Sequence, residues 1–170
     1  FVVSVLHAAL LPRPAVWNQN KASFNAKNNT TVTGMQYKAA EGFTLAFQNG
    51  WDKEAYTNGK MWQVATLRPG KYRLEVTYAY TMVVNDAGNF ISALMAKGNS
   101  ESGIPNVADI EQLNGVYAIY DKAGTNDDSG ILVTPSFEVT ETTDVVIGFL
   151  TSLAKGNSYF KVTELKLILE

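Results

Sequence analysis

The side chains with the most legible chemistry in this chain lie in Asn49-Gly50-Trp51-Asp52, where an indole stands between an amide and a carboxylate. An aromatic face packs against the apolar face of a sugar ring, and asparagine and aspartate exchange hydrogen bonds with its hydroxyls. Tyr56 and Asn58 follow shortly after, and Tyr117 and Tyr159 adjoin other predicted loops, each able to supply a hydroxyl or a stacking face. The expected ligand-binding set, for a glycan, is therefore Trp51 first, then Asn49, Asp52, Tyr56, Asn58, Tyr117 and Tyr159. The competing role for Trp51 is a plug in the open end of a sandwich. Trp62 lies inside a predicted strand and is assigned to packing. Trp17, just past Pro12 and Pro14, is expected to pin the N-terminal segment to the body.

Thr125-Asn126-Asp127-Asp128-Ser129-Gly130 concentrates oxygen donors, and Asn126, Asp127 and Asp128 are the candidate metal ligands. The segment lacks the spaced carboxylates and distal glutamate of an EF-hand, and the same residues are what a hairpin turn requires. Hydrolysis of a glycoside needs two carboxyl groups about 5–9 Å apart. Asp52, Glu54, Asp109, Glu111, Asp127 and Asp128 supply loop carboxylates, which serve equally as solvated charge. The one histidine, His7, lies in an apolar run, and there is no Gly-x-Ser-x-Gly elbow. With no cysteine in the chain, disulfides, thiolate metal sites and cysteine nucleophiles are excluded. No enzyme is expected.

A net charge of −2, a pI near 5.5 and the absence of a lysine or arginine run give no electrostatic reason to bind a polyanion, so nucleic acid is not expected as a partner. No apolar window reaches the roughly 18 residues of a spanning helix, and no transmembrane segment is expected. Phe1–Leu11 is apolar but lacks a basic leader and a small-residue cleavage site, so residues 1–14 read as a linker or an N-terminal strand. Asn28-Asn29-Thr30-Thr31 holds two overlapping glycosylation acceptor patterns, which in a bacterial protein are a polar turn. At 170 residues and 46% hydrophobic, the chain has the apolar material for the core of one domain, 1–170.

The elements that must position these residues are strands. From Tyr72 the large apolar residues fall on every second position (Tyr72, Leu74, Val76, Tyr78, Tyr80, Met82), the period of a half-buried strand. Arg68-Pro69-Gly70 supplies turn chemistry, with proline presetting φ and glycine free to take positive φ, so Met61–Leu67 and Lys71–Val84 are predicted to form a hairpin. Further strands are predicted at 43–48, 90–96, 116–120, 131–140, 143–154 and 159–169. Val145–Leu150 is apolar at nearly every position and should be covered on both faces. Residues 98–115 form a long surface crossing that holds one helical turn. In the last strand Phe160 and Val162 share one parity and Leu165, Leu167 and Leu169 the other, which predicts a bulge near Thr163 or Glu164.

The sum is an all-β jelly-roll sandwich. Gln63-Val-Ala-Thr-Leu-Arg-Pro-Gly-Lys-Tyr72 followed by a long aromatic strand resembles the hairpin of galactose-binding-like jelly rolls, and Ser136–Thr140, Asp144–Phe149 and Phe160–Leu167 are similar to that fold's final three strands. More narrowly, Asn49-Gly-Trp-Asp52 with Asn58-Gly-Lys-Met-Trp-Gln63 resembles an uncharacterised C-terminal domain family of gut Bacteroidetes surface lipoproteins. The resemblance implies a non-catalytic carbohydrate-binding module of a polysaccharide-utilising cell surface, extracytoplasmic, joined to adjacent domains of the same polypeptide. It also implies a structural calcium ion, without locating its ligands. Two other readings stay open: a structural spacer or protein-docking sandwich, and an accessory or catalytic domain of a glycoside hydrolase.

Overall fold

The computed structural model of the chain describes residues 8–9, 17–25, 33–38, 44–50, 55–154 and 156–170. Within them the chain forms strands β1 (Ala8–Ala9), β2 (Asn18–Gln19), β3 (Phe24–Asn25), β4 (Thr33–Lys38) and β5 (Thr44–Asn49). There follow β6 (Tyr56–Leu67), β7 (Gly70–Thr81), β8 (Phe90–Lys97) and β9 (Gly115–Ile119). The chain closes with β10 (Asp128–Val133), β11 (Phe137–Val139), β12 (Thr143–Leu153) and β13 (Ser158–Leu169). They make two antiparallel sheets. The first runs β10-β7-β13-β5-β4-β3, with β1 on β13 and β11 on β7, and the second runs β2-β6-β12-β8-β9. This is the predicted jelly-roll β-sandwich.

Residues facing inward from both sheets form one core, bridged by rings: Phe149 of the second sheet lies 4.8 Å from Phe47 of the first, Phe47 stacks on Phe160 at 6.0 Å, and Tyr78 and Tyr120 close around Phe160. Aromatic pairs at these offsets add to the area they bury. Trp17 packs at the margin of this core, 6.1 Å from Phe149, the pinning role expected of it.

A second cluster lies on the outer face of the second sheet. Trp62, Leu94, Val146 and Leu150 are covered there by Ile104 and Ile110, carried on the crossing between β8 and β9 with its 3-10 turns Glu101–Gly103 and Val107–Gln112. Residues 145–150 of β12 are thereby buried on both faces, as their continuous apolar run predicts.

The expected hairpin is not one. β6 belongs to the second sheet and β7 to the first, so the Arg68-Pro69-Gly70 turn carries the chain across the sandwich and the two strands do not pair. A period of two records one buried face, and it does not tell whether the next strand in sequence pairs at the edge of that strand or packs over its face. The corner is held by the Tyr72 hydroxyl, which donates to the Arg68 carbonyl at 2.8 Å. Gly70 is not in the left-handed region; its value is space, since a Cβ there would come within 2.7 Å of the Leu169 side chain.

The bulge in β13 is where the parity change places it: Val162 pairs with Tyr78 and Glu164 with Thr77, leaving Thr163 as the extra residue. The predicted strand 131–140 is broken into β10 and β11. Pro135 has no N–H for the ladder, and Thr134 instead grips Leu74 twice, donating its N–H to the Leu74 carbonyl at 3.0 Å and accepting the Leu74 N–H on Oγ1 at 2.9 Å.

A second bulge, in β7, overturns part of the predicted alternation. Tyr78 pairs with Gly130 and Thr81 with Asp128, so β7 carries one residue more than β10 between those pairs. Tyr78 and Thr81 are both buried, and Tyr80, expected on the core face, is 70% exposed with φ +55°. Met82, placed on the same face by the sequence pattern, is only half-buried, and Val83 takes the core position.

Gly148, in the central strand of the second sheet, pairs with Trp62 and Leu94. A Cβ there would run into the Met61 carbonyl oxygen and stand 2.7 Å from the Trp62 Cα, both backbone atoms that cannot rotate away. Gly148→Ala is expected to lose about 3 kcal/mol in denaturant unfolding at unchanged m-value. A loss under about 0.5 kcal/mol would show that the strands part without strain.

Candidate ligand-binding rim

At one end of the sandwich, strands of both sheets terminate together. The pairs Asn49 with Ser158, Tyr56 with Leu153, Phe90 with Ser152, Thr81 with Asp128 and Met82 with Tyr159 all fall there. Most of the sequence-predicted site residues sit on this rim. Trp51 and Asp52, which connect β5 to β6 in sequence, lie outside the described residues, as do Glu54 and His7.

Asn49 is fully buried, and its Nδ2 donates to the Ala154 carbonyl at 2.8 Å. Ala154 in turn donates its N–H to Asn89 Oδ1 at 2.8 Å, and Asn89 Nδ2 donates to the Val84 carbonyl at 2.7 Å. Asn49 is thus a peg in a network that ties together the ends of β5, β7, β8 and β12. Tyr56 is 5% exposed and shares a 2.9 Å hydrogen bond with Thr151 Oγ1. Burial pushes its phenol well above the ordinary range, with the Thr151 bond pulling weakly the other way. Neither side chain offers a free face.

Asn58 is half-buried in the left-handed region at φ +57°, which asparagine tolerates better than most residues. Its Oδ1 accepts the Val107 N–H at 2.8 Å, its own N–H donates to Ser152 Oγ at 3.0 Å, and its carbonyl accepts from Asn20 Nδ2 at 2.8 Å. It fastens the crossing to the second sheet. Tyr117 lies in the row of Trp62, Gly148 and Leu94 on the outer face of that sheet, and its hydroxyl donates to Glu111 Oε1 at 2.7 Å. Tyr159 is half-buried at the start of β13, with Lys38 Nζ 5.8 Å from its ring centre.

In the turn before β10, Asn126 and Asp127 are exposed and Asp128 is half-buried. Asp128 Oδ2 accepts the Tyr120 hydroxyl at 2.9 Å, and Lys122 Nζ stands 4.0 Å from Oδ1. Burial first, then the Asp128 carboxylate, raises the Tyr120 phenol far above its usual range. The Lys122 ammonium thus stands beside Asp128, and among the described residues no group of three or more His, Cys, Asp or Glu is placed to hold a metal. The described carboxylates of the candidate set lie in two segments. Asp109 and Glu111 lie on the crossing, where each accepts a hydrogen bond, and Asp127 and Asp128 lie in the turn.

The structure therefore gathers Asn49, Tyr56, Tyr159 and the 126–128 turn at one rim and assigns Asn58 and Tyr117 to the outer layer of the second sheet. Tyr80, which the sequence placed in the core, is the one aromatic among the exposed large apolar side chains of the described residues. The signal available was weak: Met82, Val83 and Val84 occupy both parities and so permit a register shift after Tyr78.

Residues 12–148 match the family described as a domain of unknown function (DUF5013). The chain belongs to the DUF5013 family. No curated protein sequence matches it. Among solved structures, this DUF5013 domain is similar to the xylan-binding module CBM15, at TM-score 0.50 and 12% identity, covering 99% of this chain and 97% of that one. A xylanase from Cellvibrio japonicus in complex with xylopentaose aligns at TM-score 0.45 and 12% identity, over 91% of this chain and 27% of the enzyme. A carbohydrate recognition domain of Emp46p aligns at TM-score 0.46 and 10% identity, over 89% and 87% of the two chains. At these identities the likeness to CBM15 establishes a shared fold. Among the described residues of the DUF5013 domain no helix is long and apolar enough to cross a membrane.

Tyr56 and Tyr120, whose phenols are raised most, contribute to the alkaline behaviour. Their phenols ionise near pH 10 when unfolded but later when folded, so above about pH 10 the native state holds more protons and stability falls as pH rises. In a phenolate absorbance titration these two tyrosines are expected to ionise only as the fold is lost, and Tyr56→Phe or Tyr120→Phe should flatten the alkaline decline. Ordinary titration of both in the intact protein would contradict the burial described. Chelators and added calcium are expected to leave Tm unchanged; a calcium-dependent rise that Asp128→Asn abolishes would identify the turn as a metal site.

Proposed function

We propose that this DUF5013 domain is a non-catalytic glycan-binding module that works outside the cytoplasm, at a bacterial surface, beside other domains of its polypeptide. The observation that carries the proposal is the difference between the two ends of the sandwich. One end is closed on itself. There Tyr72 holds the Arg68–Gly70 corner, and Arg73 bridges Glu75 at 2.9 Å and Glu170 at 3.1 Å, while Ser136 donates to Glu170 at 2.6 Å. The other end displays Tyr80, half-exposed Tyr159 and the polar 126–129 turn, the residue types that hold sugars. A fold shared from end to end with a xylan-binding module supports the same reading, by analogy of fold only. Trp51 and Asp52 remain the proposed loop contacts.

The second reading, a spacer or docking domain, is favoured by one observation: Asn49, Tyr56 and Asn58 are already committed to bonds within the fold. Affinity electrophoresis and calorimetry against soluble xylan, glucomannan, hydroxyethylcellulose, dextran and starch separate the two. Retardation by at least one polysaccharide is expected, weakened about tenfold or more in Trp51→Ala. Unretarded migration in all of them would leave the spacer.

A further inference from the structure

Backbone strain at an exposed aromatic residue is the least explained feature of the rim. Tyr80 has φ +55°, a conformation that costs an L-residue other than glycine, asparagine or aspartate about 1 kcal/mol or more. The ring recovers nothing from the core, being 70% exposed. The bulge explains how it is held: between buried Tyr78 and Thr81 stand two residues, Ala79 and Tyr80, opposite the single Ser129, and the Tyr80 N–H is received by Ser129 Oγ at 3.3 Å. A bulge redirects a side chain, and here it lifts a ring onto the outside of the first sheet.

The ring does not stand alone. Ile131 and Val133, on the adjoining strand, are 60% and 45% exposed. They alternate with half-buried Gly130 and Leu132 and so share the outer face with Ser129. Alternate residues of a strand are about 6.8 Å apart, so Ile131 and Val133 make an apolar track along the sheet margin, and Tyr80, on the neighbouring strand beside Ser129, stands at its end. Beside it run hydroxyl and charged groups: Thr77 opposite Ile131 and Glu75 opposite Val133, then Glu164 and Lys166 on β13.

Strand addition is a poor use of this margin. Pro135 has no N–H to offer and Ser129 sits against the bulge, two devices that blunt a sheet edge. The occupant that matches an apolar line with a polar flank, met by side chains and not by backbone, is an extended polysaccharide lying along β10. Its C–H faces would rest on the track and its hydroxyls meet Thr77 and the outer edges of two ion pairs, Arg73–Glu75 and Glu164–Lys166, each closed at 2.9 Å. The geometry points to Tyr80, Ile131 and Val133 as a stacking platform for such a chain, with Tyr80 as its anchor. This assignment rests on the glycan-binding reading above and names contacts other than Trp51 and Asp52.

The test uses the full chain and the same polysaccharide panel, with Tyr80→Ala, Tyr80→Gly and Val64→Ser, the last an exposed apolar residue of the other sheet. Tyr80→Ala is expected to weaken binding about tenfold, with Val64→Ser unchanged. Tyr80→Gly is expected to lose binding to the same extent while melting a few degrees higher, because glycine occupies the left-handed position freely. A ring kept for packing would instead lower the melting temperature when removed. If the unsubstituted protein binds a polysaccharide and Tyr80→Ala binds it equally well, the platform is overturned and the glycan-binding reading stands. Should the unsubstituted protein bind none, both fall together.

Discussion

The burial of β12 on both faces constrains the rest of the molecule. Val145, Ile147 and Phe149 point into the sandwich, and Val146 and Leu150 point out of it, all essentially without solvent contact. Leaving either outward side chain in water would forgo about 1.5–3 kcal/mol, so the second sheet needs a cover. The crossing between β8 and β9 provides it through Ile104 and Ile110, and it must be fastened. Gly98 donates its N–H to the Asp144 carbonyl at 2.9 Å, Lys97 to Asn114 at 3.0 Å, Val107 to the Asn58 side chain, and Lys60 reaches Glu101 at 3.7 Å. Polar side chains that a sugar would use on an open sheet are spent here on holding a lid. The chemistry that is left for a ligand falls to the rim and to the outer face of the first sheet.

Features that depend on one strand's own side chains were legible in the sequence. The continuous apolar run of β12 foretold its double burial, and the parity change after Val162 foretold the Thr163 bulge. Features that depend on which surface a strand meets were not. β6 and β7 carry the pattern of a hairpin, yet a two-residue period is blind to the difference between a neighbour in the sheet and a neighbour across the core. The Tyr80 bulge stayed hidden for a related reason: apolar residues on both parities beyond Tyr78 are compatible with either register, and the pairing of Thr81 with Asp128 decides between them.

The candidate site was legible as composition and much less as roles. Asparagine and tyrosine near strand ends suit a ligand, and they suit the backbone equally well, because strand ends leave N–H and carbonyl groups that need partners. Asn49 and Asn89 answer backbone groups across the rim, and Asn58 answers one on the crossing. Nothing in a residue's type shows whether its amide faces a carbonyl of its own chain or a hydroxyl from outside. Exposure separates the two, and exposure follows from register.

The three non-glycine residues at positive φ among the described residues illustrate the distinction. Asn58 and Asp127 belong to the residue types that enter the left-handed region most readily, and Asn58 repays its conformation with three hydrogen bonds to neighbouring elements. Tyr80 has neither excuse. Its side chain meets water, its N–H bond at 3.3 Å is long, and a glycine would relieve the strain without loss to the core. A domain acting only as a spacer gains nothing from a ring held out at that cost. A domain that grips a chain of sugars gains a rigid, solvent-facing plane at the end of an apolar line, and that difference in what the strain accomplishes weighs toward the binding reading.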